Sequence, residues 1–180
     1  MSYLLRKMAT SDLDMIRSWR NNPDVRRFMY TRHEISKDEH TLWWQRVSEL
    51  NNFVSLIFEY NNVSMGYVSF SNINILDKKC DWAFYLSKDA IRGIGSLVEF
   101  LALEYAFEKI LINKLKCEVF SFNQSVIKMH HKFGFSEEGV LRREHFYDGE
   151  FFDICLLASF REDWLANKET YKKRISKIWQ

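Results

Sequence analysis

Proline is nearly missing from this chain, one in 180 residues, and only six glycines accompany it. So few chain breakers exclude collagen-like and Pro/Gly-rich disordered states and favour long uninterrupted elements. An excess of one charge is lacking too, since 26 basic residues face 24 acidic ones for a net charge of +2. No bulk field exists to hold nucleic acid, and an anionic ligand must be gripped locally. Long apolar runs are also absent: neither the start, MSYLLRKMATSD, nor any later stretch has the length of a signal-peptide core or a membrane span. A cytoplasmic protein with no membrane partner is the expectation. Cys80, Cys117 and Cys155 form an odd set without CxxC spacing, each within an apolar strand-like run, which predicts reduced core thiols. The five histidines show no HExxH-type spacing, so no metal is expected.

What is present is a globular composition, 47% hydrophobic and 28% charged, in a length that suits one domain. Residues 1–164 are read as that domain and residues 165–180 as its helical tail. Residues 3–8 predict a first strand. Ser11-Asp12-Leu13-Asp14 then resembles a helix N-cap leading into Leu13, Ile16 and Trp19, with Asn21-Asn22-Pro23 as the stop. Ser36-Lys37-Asp38-Glu39 reads as a capping box for a second helix through Leu42, Trp43, Val47 and Leu50. Residues 53–60 and 64–70 read as a hairpin about Asn61-Asn62-Val63, and 80–86 as the next strand. A long helix follows Gly95, then a strand at 116–120, a short helix from Asn123 to near Phe133-Gly134, and two strands, 138–146 and 151–159, joined at Asp148-Gly149. The tail from Arg161 reads as an amphipathic helix whose Trp164, Leu165, Tyr171, Ile175, Ile178 and Trp179 cover either their own sheet or an oligomer partner; its Lys172-Lys173-Arg174 run reads as a solvated face. The order predicts an α/β (α+β) fold with a mixed, mostly antiparallel sheet, and it is not Rossmann alternation.

Chemistry concentrates in CDWAFYL, SKDAIRGIG and SLVEFLALEYAF, a strand, a glycine turn and a helix. A helix N-terminus offers unpaired amides and a positive dipole end. Gly93 and Gly95 keep side chains out of an anion's way, and Arg92 adds a charged donor. Alone, Gly-x-Gly is equally a tight strand-to-helix connection. No Gly-Lys-Ser/Thr follows, which excludes a Walker loop, and the third glycine of a dinucleotide fingerprint is missing.

The segment resembles the coenzyme A motif of the GNAT N-acetyltransferase superfamily, Gln/Arg-x-x-Gly-x-Gly/Ala, with Ala90 departing at the first position and Lys88 or Arg92 left to replace its polar contact. A second motif, Asn123 through Phe135 followed by Glu138-Gly139-x-x-Arg142, is similar to the superfamily's N-x-x-(A/S)-x-x-x-Y-x-x-x-G-F continued by EG-x-x-R. The resemblance implies helices flanking a sheet whose strands splay around acetyl-coenzyme A, with direct attack of an amine on the thioester and no acyl-enzyme. It places the cofactor along Phe84, Tyr85 and Leu86, with an amide at Phe84 or Tyr85 on the thioester carbonyl, and at Arg92, Gly93, Ile94, Gly95, Ser96 and Asn123. Asn123 is equally a helix N-cap. His130 stands where the superfamily's general-acid tyrosine stands; it is either the proton donor to the departing thiolate or a ring packed on the cofactor. His131 points outward. Glu118 is the candidate general base, against the alternative of a solvated strand residue.

A narrower resemblance runs through Trp19-Arg20-Asn21, Val25-Arg26-Arg27-Phe28-Met29-Tyr30, Ile35, Glu39-His40 and Trp43, and continues in residues 102–107 and 114–119. It is similar to the PseH family of the pseudaminic-acid pathway. That similarity implies acetylation of the 4-amino group of a UDP-linked 4-amino-4,6-dideoxy sugar, a small-molecule nucleotide-sugar partner, and a monomer or homodimer. By position, Arg20, Met29, Tyr30, His40, Ser69, Ser71 and Asn72 are the substrate residues. Arg20 could instead cap its helix and His40 satisfy a turn. The rival enzyme reading is a ribosomal-protein or polyamine N-acetyltransferase, because Glu138-Gly139-x-x-Arg142 also occurs there; acidic pockets would favour it, whereas Arg20, Arg26 and Arg27 favour an anion. A noncatalytic acyl-coenzyme A-binding scaffold is the alternative of another class.

Overall fold

The computed structural model describes residues 2–178; Trp179 and the side chain of Ile178, both assigned by sequence to the tail's apolar stripe, lie outside the described residues. Seven strands form one sheet in the order β1-β2-β3-β4-β5-β7-β6: β1 Tyr3–Lys7, β2 Val54–Tyr60, β3 Val63–Asn74, β4 Lys79–Leu86, β5 Lys114–Phe120, β6 Ser136–Tyr147 and β7 Glu150–Phe160. Every neighbouring pair is antiparallel except β4 with β5. Both hairpin turns fall where the sequence puts them. Asn61 and Asn62 at φ of 48° and 63°, and Asp148 and Gly149 at 51° and 82°, supply the left-handed pairs that two-residue turns between twisted strands need.

The strand period of two sorts the core into two layers. Leu56 and Phe58 of β2, Val68 and Phe70 of β3, and Leu115 and Cys117 of β5 share one cluster with α4 (Gly95–Glu104) and α5 (Gln124–Lys132). Ile57 and Tyr67 turn the other way, to Ile16 of α1 (Leu13–Arg20) and Trp43 and Trp44 of α3 (Lys37–Ser48). The tail helix α6 (Arg161–Ile178) covers the first layer in cis, with Trp164, Tyr171 and Ile175 buried and Leu165 left exposed. Lys168 reaches Glu104 and Glu108 at 2.9 and 2.7 Å, while Lys172 and Lys173 stay in water.

Helix starts differ from expectation in instructive ways. Ser11 does not cap α1. A 3₁₀ turn over Thr10–Asp12 precedes it, and the Asp12 carboxylate accepts from the Ala9 amide at 2.8 Å and from Arg6 at 2.7 and 2.9 Å. Ser36 does cap α3, accepting from the Glu39 amide at 3.1 Å, but the Glu39 carboxylate contacts His33 at 3.0 and 3.1 Å instead of closing a reciprocal box. Pro23 ends α1 and also opens the short helix α2 (Pro23–Arg26) on the Asn22 cap, as its fixed φ allows at a first helical position. Asn123 sits at the start of α5, yet its side chain caps nothing; its Oδ1 accepts from the Ser125 hydroxyl at 3.1 Å. The long helix after Gly95 widens into a π-type turn over Tyr105–Ile110 before Leu111 ends it at φ 64°.

Candidate active site

β4 and β5 pair over only three residues, Lys79↔Lys114, Cys80↔Leu115 and Asp81↔Lys116. Beyond the last pair, locked by Asp81 and Lys116 at 2.8 Å, the two strands part and the sheet forks. β4 remains zipped to β3 as far as Leu86, and β5 to β7 as far as Phe120. The inner edge of each thus loses its strand partner over the fork, which leaves backbone polar groups facing a gap. The gap is a cavity of about 430 Å³ lined by Phe84, Tyr85, Leu86, Glu118, Asn123 and His130 among others, with Phe28 and Met29 contributed by the loop after α2.

Alternation on β5 puts the two titratable candidates on opposite sides of this cavity. Cys117 belongs to the layer of α4 and α5, where His130 lies, while Glu118 faces the layer of α1 and α3. His130 is 2% exposed, and its Nδ1 stands 2.7 Å from Oε1 of Glu99, itself 0% exposed, on α4. The ring is held edge-on to Trp82, at 5.5 Å between centroids, and tilted against Phe135 at 5.0 Å. Burial opposes charge on this imidazole, but Glu99 and Cys117 outweigh it and push its pKa up to about 10. Glu118 is exposed and accepts from the Tyr30 hydroxyl at 2.5 Å. Burial and that neighbouring carboxylate both hold the phenolic proton in place. Tyr30 is kept there by a clamped loop: the Asn21 side chain bonds both the amide and the carbonyl of Ile35, at 2.8 and 2.9 Å, and Arg20 Nη2 donates to the Thr31 carbonyl at 2.8 Å. On the far side, a β6 bulge with Arg143 at φ 56° brings the His145 ring to 5.3 Å from Tyr30.

A second cavity, about 630 Å³, lies between α3 and the sheet and shares Tyr85 with the first. Arg20, His40, Trp43, Arg46, Tyr67 and Ser69 line it, and Glu39 is its one carboxylate. His40 stacks on Trp43 at 5.0 Å, and burial, followed by the charge of Arg17, lowers its pKa. Arg20 Nη1 is buried with no hydrogen-bond partner, so one face of a fixed cation is unspent.

The structure therefore divides the residues marked by sequence. Phe84, Tyr85, Leu86, Met29, Glu118, Asn123 and His130 meet in the fork, Arg20, His40, Ser69 and Tyr85 in the second cavity, and Tyr30 joins through Glu118. The turn Arg92 to Ser96 follows Ser87 and Lys88 at the rim but lines neither cavity. The Ile94 side chain is fully buried and its amide donates to the Ile91 carbonyl at 3.1 Å, so the turn's free donors are those of Gly93 and Gly95. Ser71 and Asn72 line neither cavity as well; a register shift after Ser71 turns Asn72, at φ 51°, to donate to Asp81 at 2.8 Å at the closed end of the fork. Trp82, Cys117, Arg46 and Tyr67 line the two cavities and Glu99 touches His130, and the sequence reading gave none of them a place there.

The fork fits an acyl-coenzyme A on its own features. Gly93 holds φ 91°, which side chains resist, and a Cβ on Gly95 would meet the Met129 sulfur at 3.2 Å. The Ser96 and Leu97 amides are taken by the carbonyls of Gly93 and Ile94, whereas those of Gly93 and Gly95 donate to no backbone acceptor, the arrangement that receives a phosphate at a helix start.

A model of the acetyltransferase (GNAT) domain matches residues 5–156. The acetyltransferase PseH of Campylobacter jejuni subsp. jejuni serotype O:23/36 (strain 81-176) is 27% identical over 158 residues, 85% of this chain and 90% of that protein. The spermidine N(1)-acetyltransferase of Escherichia coli (strain K12) is 24% identical over 171 residues, 94% of this chain and 91% of that protein. Among solved structures, the spermidine N-acetyltransferase of Vibrio cholerae in complex with CoA and spermine superposes with a TM-score of 0.84 at 22% identity, covering 91% of this chain and 98% of its own. With the forked sheet and the amide-lined turn already in place, the match across most of the chain settles the family: this protein belongs to the GNAT acetyltransferases, enzymes that move an acetyl group from acetyl-coenzyme A to an amine.

Proposed function

We propose that the acceptor is the 4-amino group of a UDP-linked 4-amino-4,6-dideoxy sugar, acetylated by direct attack within a ternary complex in the cytoplasm. The observation that carries this reading is the chemistry of the second cavity. Two guanidiniums, Arg20 and Arg46, and the stacked His40 and Trp43 rings line it, and its single carboxylate, Glu39, is already engaged with His33. A diphosphate calls for cations with unused donors and a base for flat walls, whereas a polyamine calls for several carboxylates. The similarity to PseH over most of both chains supports the same choice.

Acetyl-coenzyme A supplies a thioester, an acyl group already activated toward an amine. Arg92 and the turn from Gly93 to Ser96, through the free amides of Gly93 and Gly95, would hold its diphosphate, and Asn123, whose side chain is released from capping, the arm near the fork. Backbone amides on the freed edge of β4, at Phe84 or Tyr85, would donate to the carbonyl oxygen as charge builds on it. Glu118 takes the proton from the acceptor ammonium on one side of the fork. Tyr30, donating to Oε2 of Glu118, orients that carboxylate toward the acceptor and leaves Oε1 for the proton. His130 holds a proton on the opposite side for the departing sulfur. Arg20, Met29, Tyr30, His40 and Ser69 would embrace the nucleotide sugar, while Ser71 and Asn72 act at most from the closed end.

Spermidine acetylation is the second reading, and it draws on the sequence likeness to spermidine acetyltransferases and on Asp24 and Glu118, which give the fork's own lining two carboxylates. Release of free thiol from acetyl-coenzyme A, followed with each amine, separates the two. A UDP-4-amino sugar is expected to give the highest kcat/KM. Preference for spermidine would replace the nucleotide-sugar reading, and silence with every amine would favour a scaffold.

A further inference from the structure

A carboxylate with no surface at all lies beneath the acyl cleft, and the proposed mechanism leaves it unused. Glu99 stands in the apolar run of α4 between Leu97, Val98 and Phe100, all buried. Its Oε1 is 2.7 Å from Nδ1 of His130, and its Oε2 is buried with no hydrogen-bond partner. A buried ion pair of this kind adds little stability over apolar side chains of the same volume, while an unpaired half is heavily penalised. As a mere stitch between α4 and α5, the pair is a poor choice.

We infer that Glu99 is a positioning residue for proton donation: by engaging Nδ1 it fixes the orientation of His130 and keeps Nε2–H as the proton offered to the sulfur leaving in the fork. This rests on the reading of His130 as the acid in the proposed function. With Nδ1 spent on Glu99, Nε2 is the atom left through which His130 can give a proton; Cys117 is the ring's other hydrogen-bonding neighbour, and the ring lines the acyl cleft. Wherever a tyrosine fills this position, the donor carries its own proton at neutral pH; an ordinary imidazole, near 6.5, does not. The groups facing His130 are Glu99 from α4 and Cys117 from β5, while Trp82 and Phe84 of β4 and Phe135 after α5 do not titrate. Burial alone would discharge the ring; the neighbouring carboxylate, with Cys117, reverses that and keeps it charged to about pH 10. On donation the ring becomes neutral, Nδ1–H still bonded to Glu99, and the proton ends on sulfur, so charge balances within the pair and the thiol.

Two measurements test this on the full chain. Long-range ¹H–¹⁵N spectra of the histidine rings, with His130 assigned by its loss in His130→Tyr, are expected to show a doubly protonated ring through neutral pH. In Glu99→Gln, which keeps volume and a hydrogen-bond acceptor but no charge, the ring should be neutral at pH 7. In parallel, kcat of Glu99→Gln should fall at least about tenfold at pH 8 with its profile displaced to lower pH, since each unit lost from the donor costs up to tenfold in charged fraction. In a His130→Tyr background the same change should alter kcat less than about twofold, because that donor needs no carboxylate. A neutral His130 in the unaltered protein at pH 7 overturns the inference even if Glu99→Gln fails to fold, and so does an unmoved pH profile in a folded Glu99→Gln. A protonated ring together with undiminished kcat in His130→Phe overturns the acid role in the proposed function. Preference for another amine leaves the ring titration untouched and counts only against the acceptor.

Discussion

The two walls of the fork solve opposite problems. On the side of α4 and α5, the charged pair of His130 and Glu99 is sealed in an aromatic shell, with the Cys117 thiol beside it. On the side of α1 and α3, Glu118 and Tyr30 are exposed, and Arg20, Arg46 and His40 ring an open cavity. The buried wall can tune a proton, because low dielectric makes every neighbour count. The open wall can choose a ligand, because its cations still reach water and an incoming diphosphate. The contrast suggests that the leaving group's proton is tuned on one layer of the sheet while the acceptor is selected and deprotonated on the other, the two meeting at Tyr85 and the edges of β4 and β5.

That division can be broken by substitution. The largest effect is expected at His130→Phe, with kcat down about 10²- to 10³-fold and KM for both substrates within a few-fold, measured by thiol release. Glu118→Gln should follow at about 10²-fold in kcat at neutral pH, with activity partly recovered as pH rises and the amine deprotonates unaided. At the second cavity the signature should invert: Arg20→Ala is expected to raise KM for the nucleotide sugar about tenfold, the worth of one charge-assisted contact, while KM for acetyl-coenzyme A holds. A kcat effect there instead would mean that the clamp on Thr31 matters more than the ligand. The smallest effect is on stability. Because the pKa of His130 is raised in the fold, the pair's contribution is complete below about 6.5 and is lost as pH climbs through about 10. The melting temperature of the parent, relative to Glu99→Leu/His130→Leu, should therefore slip by about 10 °C across that window.

Much of this was readable from residue order. The Asn61-Asn62 and Asp148-Gly149 turns, the Ser36 cap and the end of β5 at Phe120 all follow from local preferences, and the structure keeps them. The two motifs pointed to the fork through Phe84, Tyr85, Asn123 and His130. Ser71 and Asn72 fall outside both cavities because a bulge is a tertiary choice, and one slipped residue turned Asn72 toward Asp81. Glu99 was overlooked although its signal was present: a helix apolar on all sides is a buried helix, and a lone glutamate within it must find a partner.

By itself the sequence determined the elements, their order and the alternation that sends Cys117 and Glu118 to opposite faces, since φ/ψ preference, capping and the period of two act within a few residues. Only the tertiary structure decided that β4 and β5 would part after Asp81, that Tyr30 would meet a carboxylate 88 positions away, and that Glu99 would lie under His130. Those are contacts between distant segments, and what fixes them is the burial of aromatic shells and paired charge as the whole core closes, a quantity no single stretch of chain contains.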